Sequence, residues 1–123
     1  MKKPHALLLL TFFMLSLFSC KKDKKNCVQV RYISGYCPYT GSSYVEVLEP
    51  NDDATARTEN GHTTYTMALF NVPEEYRVIG KVFFVKYQYD ADLPEPEARP
   101  CPANSYPANM FVAKSVSLTG CDN

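Results

Sequence analysis

An alternation of apolar and polar residues constrains the fold of this chain more than any other feature of its sequence. Within residues 78–89, three apolar residues alternate with a more polar set. Phe83, Val85 and Tyr87 lie on one face, and the other face has Phe84, Lys86 and Gln88. A period of two is typical of a β-strand with one buried face. Strands are also predicted for four further runs rich in Val, Phe, Tyr and Thr: residues 28–33, 44–48, 64–70 and 110–118.

The segments between these runs predict turns and loops, and no stretch has sustained helical periodicity. Pro73-Glu74-Glu75 could open one helical turn. Residues 51–62 contain Asn60-Gly61 and are predicted to form an exposed loop. Residues 93–107 hold five prolines and predict a long, rigid loop before the last strand. Five strands in this order predict an all-β fold, a small five-stranded Greek-key (OB-like) barrel.

The N-terminus has the pattern of an export signal. Met1-Lys2-Lys3 is basic, and residues 6–18 are mostly apolar but shorter than the roughly 20 residues of a membrane-spanning helix. The chain then reads Leu17-Phe18-Ser19-Cys20, which resembles the lipobox of bacterial lipoproteins. The resemblance implies cleavage before Cys20 and diacylation of its sulfur. Two acyl chains would give a stable membrane anchor.

This resemblance divides the chain into three parts. Residues 1–19 are the expected signal peptide, residues 20–26 the lipidated cysteine with a charged tether, and residues 27–123 a single β-barrel domain. The expected location is the cell envelope, on a bacterial membrane and most naturally the outer one. A Lys-Asp pair after Cys20 resembles the surface-export signal of Bacteroidota, while the periplasmic face is the alternative. Ordinary cleavage that leaves Cys20 unmodified is the alternative to lipidation.

Four cysteines remain in the body of this expected exported protein: Cys27, Cys37, Cys101 and Cys121. An even number in a small exported domain predicts two disulfides. We favour Cys27–Cys121 with Cys37–Cys101, because the first closes the chain ends and the second ties two long loops. Cys27–Cys101 with Cys37–Cys121 is a close rival. A zinc site is the other alternative, but the cysteines lack the close pairing of structural zinc ligands.

The distribution of charge bears on the partners of the protein. Four lysines and one aspartate in residues 21–25 form a basic segment that suits an anionic membrane surface. From residue 26 onward, seven basic residues stand against twelve acidic ones. This acidic body argues against nucleic acid, which needs basic patches. The expected partners are therefore a membrane, through the lipid anchor, and a protein or glycan ligand.

The sequence offers little for catalysis. His62 is the single histidine of the body and lies in a polar segment, so no serine–histidine–acid triad is supported. The acid pair Asp52-Asp53 lacks calcium-loop spacing and reads as solvated, with a weak cation site as the alternative. No glycine-rich phosphate loop is present. We therefore expect a non-enzymatic protein with no catalytic residues, no metal and no cofactor.

Aromatic residues supply the candidate binding face. Tyr36, Tyr39 and Tyr44 surround the first loop, and Tyr106 lies in the proline-rich loop. In OB-type barrels the loops after strands one and four flank the ligand face. Exposed tyrosines there would offer stacking and hydrogen bonding. The alternative is that these rings merely cover the barrel end.

The order of cysteines and strands, with the ending Ser117-Leu118-Thr119-Gly120-Cys121, resembles small, uncharacterised four-cysteine envelope lipoproteins of the Bacteroidota. This resemblance implies no particular activity. The expected function is a membrane-anchored envelope lipoprotein with a non-catalytic binding or interaction role. The alternatives are an inhibitor of a secreted hydrolase, a structural subunit of an outer-membrane complex, and a small envelope enzyme.

Overall fold

The computed structural model describes residues 26–37, 39–93, 100–101 and 107–121, and these residues form one β-sheet that closes on itself. The predicted signal peptide, Cys20 and Tyr106 lie outside the described residues. Six strands follow one another along the chain: β1 Cys27–Gly35, β2 Ser43–Val47, β3 Thr55–Glu59, β4 His62–Phe70, β5 Val82–Gln88 and β6 Met110–Ser117.

Five of the six strands make the barrel. Strand β1 pairs with β2 and β5, β2 pairs with β4, and β5 pairs with β6, all antiparallel. A parallel pairing of β4 with β6, in which Ala68 lies opposite Met110, closes the ring. The predicted five-stranded Greek-key, OB-like barrel is therefore confirmed.

The core forms because alternate residues of each barrel strand point inward. Val30, Val45, Met67 and Phe83 are completely buried, and they come from four different strands. On β5, Val85 and Tyr87 are buried, whereas Lys86 and Gln88, which follow each of them in turn, are exposed, as the alternation predicts. Burial of these apolar side chains is the main favourable term in the stability of a domain this small.

Both disulfides have the favoured pairing. Cys27 bonds to Cys121 with the two Cα atoms 6.1 Å apart, and Cys37 bonds to Cys101 with the Cα atoms 5.7 Å apart. The first joins the start of β1 to the end of the chain. The second joins the β1–β2 loop to the segment between β5 and β6. The rival pairing and the zinc alternative are therefore wrong.

Two segment predictions need correction. Residues 51–62, predicted as a loop, contain strand β3, which pairs with β4 through a hairpin closed by Asn60 and Gly61. Both turn residues have positive φ, 51° and 75°, the conformation of a tight two-residue hairpin turn. The strand predicted from residue 78 begins at Val82, because Gly80 forms a turn at φ 84°. The short turn predicted at Pro73 is present as a 3-10 turn, Glu74–Tyr76.

Candidate functional site

The loop that joins β1 to β2, residues 36–42, has several internal hydrogen bonds among its described residues, which are all but Pro38. The Tyr36 amide donates to the Ser42 carbonyl at 3.1 Å, and the Ser42 amide donates to the Tyr39 carbonyl at 3.2 Å. The buried Ser42 hydroxyl lies 2.6 Å from that same carbonyl oxygen. We call residues 36–42 the tyrosine loop. Because its backbone is self-bonded, its side chains project from a defined frame.

Three tyrosine rings pack together on this loop and the strand that follows it. The Tyr36 ring stacks on Tyr39, with centroids 6.2 Å apart, and on Tyr44, with centroids 5.6 Å apart. The edge of the Tyr39 ring meets Phe70, at 5.8 Å between centroids. All three tyrosines are half-buried. The structure thus brings together three of the four residues predicted for the binding face.

Tyr36 connects the tyrosine loop to the segment before β6. The Ala108 amide donates to the Tyr36 hydroxyl at 3.0 Å, and the neighbouring Cys37 is bonded to Cys101. Tyr36 therefore has a structural role as well as an aromatic surface. The Tyr39 and Tyr44 hydroxyls have no hydrogen-bond partner among the described residues, so they are the groups that a ligand could engage.

A cleft of about 290 Å³ adjoins the tyrosines. Directly opposed residues of antiparallel strands share a face, and the register places Thr55 opposite Thr66 and Arg57 opposite Thr64. Their side chains line the cleft together with four other residues, Tyr44, Ala56, Glu59 and Pro107. Arg57 forms an ion pair with Glu59 on the same strand. The cleft thus combines hydroxyl groups with one fixed pair of opposite charges.

Tyr44 belongs to both parts of this surface, because its ring stacks on Tyr36 and also lines the cleft. The sequence prediction missed the cleft, since it treated residues 51–62 as an exposed loop. The Asn60-Gly61 pair, which is the strongest short signal for a β-hairpin, could have revealed strand β3.

Asn109 fixes strand β3 in place beside the barrel. Its amide donates to the Thr55 hydroxyl at 3.1 Å, and its side-chain nitrogen donates to the Asp53 carbonyl at 2.8 Å. Its own carbonyl accepts from the Ala68 amide at 2.9 Å. One residue therefore joins β3, β4 and the start of β6, and so sets the wall of the cleft.

A buried polar contact supports the turn that leads into β3. The Tyr87 hydroxyl donates to the Asp53 carboxylate at 2.7 Å, and the Asn51 side chain donates to the same hydroxyl at 3.3 Å. Burial of the ring, together with the hydrogen bond to Asp53, raises the pKa of Tyr87 to about 12. The group is therefore a neutral donor at physiological pH and anchors the turn to strand β5.

His62 is exposed at the start of β4, opposite Glu59 in the hairpin. No group of three His, Cys, Asp or Glu side chains in the described part of the chain converges as metal ligands would. In that same part, no helix has the length and apolar character needed to cross a membrane.

Comparison with known proteins adds no family to this description. No protein-family model matches the chain, and no curated protein gives a significant match.

Proposed function

We propose that the protein is a lipid-anchored cell-envelope lipoprotein that binds a ligand, without catalysing a reaction, through the tyrosine loop and the adjoining cleft. The anchor is Cys20, on the basis of its lipobox-like context. The observation that carries the binding role is Tyr44, which joins a stack of half-buried rings to a cleft lined by three threonines.

A glycan is the ligand that this chemistry suits best. Sugar rings offer C–H faces that pack on aromatic rings, and their hydroxyls match the hydroxyls and the Arg57–Glu59 pair of the cleft. The two loops that flank the surface are joined by the Cys37–Cys101 bond, so little ordering cost attends binding. The excess of acidic residues in the body disfavours nucleic acid.

A glycan array probed with the labelled body of the protein tests this proposal, followed by calorimetry on each glycan that binds. We expect Tyr39→Ala to weaken binding by about tenfold or more, as loss of an aromatic contact should. Leu118→Ala is the control, because Leu118 is 60% exposed and follows the last residue of β6, at the opposite end of this strand from Pro107 and the cleft. Equal binding by the Tyr39→Ala protein, or no glycan bound at all, would count against the proposal.

Inhibition of a secreted hydrolase is the second candidate, and one feature favours it. The turn at residues 78–81 is closed by a 2.9 Å hydrogen bond from the Lys81 amide to the Val78 carbonyl, yet Ile79 is 80% exposed. The turn is held to the barrel by the Gly80 amide, which donates to the Tyr32 carbonyl at 2.9 Å. A rigid turn with an exposed aliphatic tip suits insertion into an apolar pocket of a partner protein.

A panel of secreted proteases and glycosidases, assayed with and without the protein, tests the second candidate. Inhibition that disappears in Ile79→Asp, with an unchanged melting temperature, would support it. Inhibition that survives this change would show that the turn is not the contact.

A further inference from the structure

The end of the barrel that carries the chain toward Cys20 is defined by hydrogen bonds. The Tyr87 amide donates to the Asn26 carbonyl at 2.9 Å, and Cys27 lies opposite Lys86 in the β1–β5 pairing. The end of β5 therefore lies beside Asn26, the residue from which the sequence leads back to Cys20. The Cys27–Cys121 bond holds the start of β1 to the body, so this exit point is fixed.

The tether is short compared with the barrel. Six residues separate Cys20 from Cys27, and seven Cα–Cα steps reach at most about 25 Å even when fully extended. A lipid on Cys20 would therefore keep the exit end close to the bilayer surface.

Tyr89 is the exposed aromatic residue at this exit end. It follows the last residue of β5, and 71% of its surface is accessible. Tyrosine combines an apolar ring with a polar hydroxyl and is enriched where membranes meet water. Lys86 is exposed on the same strand end, and the acidic Asp90 and Asp92 follow Tyr89. The sequence of the tether adds four lysines and one aspartate.

The closed barrel brings the tyrosine loop near this end, because Gln88 lies opposite Val112, Val112 lies opposite Phe70, and the Phe70 ring contacts Tyr39. Ile79, by contrast, is remote from the exit, because the adjacent Gly80 bonds to Tyr32, five residues along β1 from Cys27.

We propose that the barrel docks on the lipid surface through its Tyr89 end, with the Tyr89 ring in the interface and the turn that carries Ile79 facing away from the membrane. This inference rests on the lipid anchor of the proposed function and adds the orientation of the barrel. Its consequence is that the exposed Ile79 side chain stays on the aqueous side, free of the membrane that holds the protein.

The natural absence of tryptophan from the chain allows a direct test. Tyr89→Trp and Ile79→Trp each introduce a single fluorescent reporter at an exposed position, one at the exit end and one remote from it. The full-length protein, lipidated at Cys20 in the cell, is reconstituted into phosphatidylcholine vesicles whose acyl chains carry bromine. Flotation of the vesicles measures anchoring, and bromine quenching of tryptophan measures proximity to the bilayer.

We expect both variants to float, and tryptophan at position 89 to be quenched by roughly twofold or more relative to position 79, because interfacial side chains sit within about 10 Å of the acyl boundary. Flotation with equal quenching, or with stronger quenching at position 79, would overturn the docking orientation while leaving the anchor intact. Failure of both variants to float would overturn the anchor and the docking together. Unchanged melting temperatures confirm that each variant is folded.

Discussion

The hydroxyl of Ser42, the last residue of the tyrosine loop, differs in its contacts from that of Ser43, the first residue of β2. Ser42 and Ser43 are both buried, at 4% and 0% exposure. The Ser42 hydroxyl reaches the Tyr39 carbonyl at 2.6 Å, whereas the Ser43 hydroxyl has no hydrogen-bond partner in the described part of the chain. A buried hydroxyl without a partner loses its hydration and gains nothing in return.

Alanine substitutions at these two positions should therefore have different effects. We expect Ser42→Ala to lower the free energy of unfolding by about 1 kcal/mol, and Ser43→Ala to leave it unchanged or raise it slightly. Urea denaturation of both variants measures the difference. A larger loss in Ser43→Ala than in Ser42→Ala would contradict the assignment of the two hydroxyls.

Tyr87 should make the free energy of unfolding fall as the pH rises through the alkaline range. Its pKa is raised to about 12 in the folded state, against 10.0 for an ordinary tyrosine. Below pH 10 the hydroxyl is protonated in both states and its stabilising contacts are complete. Between pH 10 and 12 the unfolded state ionises first, so stability is lost as the pH rises.

Tyr87→Phe removes the hydroxyl with little change in ring volume. We expect it to cost about 1–2 kcal/mol at pH 7, because it breaks the 2.7 Å bond to Asp53, and to make the decline above pH 10 shallower. Urea unfolding at a series of pH values from 8 to 11 gives both quantities. If the free energy of unfolding falls equally with pH in the variant and the parent protein, Tyr87 is not the group responsible.

Strand β3 is the element that the sequence prediction missed, and the reason is physical. Its residues, Thr55 to Glu59, lack an apolar alternation because β3 lies outside the closed ring and pairs only with β4. None of its five residues is fully buried. A buried strand such as β5 can be predicted from the apolar residues on its inward face. Strand β3 is instead held by the Asn60-Gly61 turn and by Asn109, which is distant from it in the sequence.

The hairpin turn can be tested with a matched pair of glycines. Gly61 has φ 75°, where an L-residue is strained, so Gly61→Ala should cost roughly 1 kcal/mol. Gly35 does not have a positive φ, and an added Cβ would lie 3.9 Å from the nearest atom, so Gly35→Ala should be nearly neutral. Thermal unfolding of both variants measures the contrast. Equal losses would argue against the strained turn.

The whole-molecule architecture was largely predictable. Strand order along the chain, the OB-like barrel and the favoured disulfide pairing all follow from alternation and cysteine position, and the structure confirms them. The cleft could not be predicted in this way, because it depends on the contact of β3 with β4 and on the position of Tyr44 between two surfaces. Lipidation of Cys20 and the role of Tyr106 stay predictions.

The two disulfides should contribute similarly to stability. They join residues 94 and 64 positions apart, and the entropy of loop closure depends only logarithmically on this separation. Replacement of either cysteine pair by serines should cost about 2–4 kcal/mol, with the Cys27–Cys121 pair only slightly more costly. Urea unfolding of the two double variants measures both losses, and a negligible loss in either would contradict this view.

The protein as we propose it is an exported, lipid-anchored barrel with two disulfides. The most direct test of this proposal is the intact mass of the mature protein, purified from the cell envelope and alkylated under denaturing, non-reducing conditions. We predict a chain that begins at Cys20, carries a diacylglyceryl group and further acylation on that residue, and has no alkylated cysteine. A chain that keeps residues 1–19, begins at another residue, lacks the lipid or takes up alkylating agent on its body cysteines would contradict it.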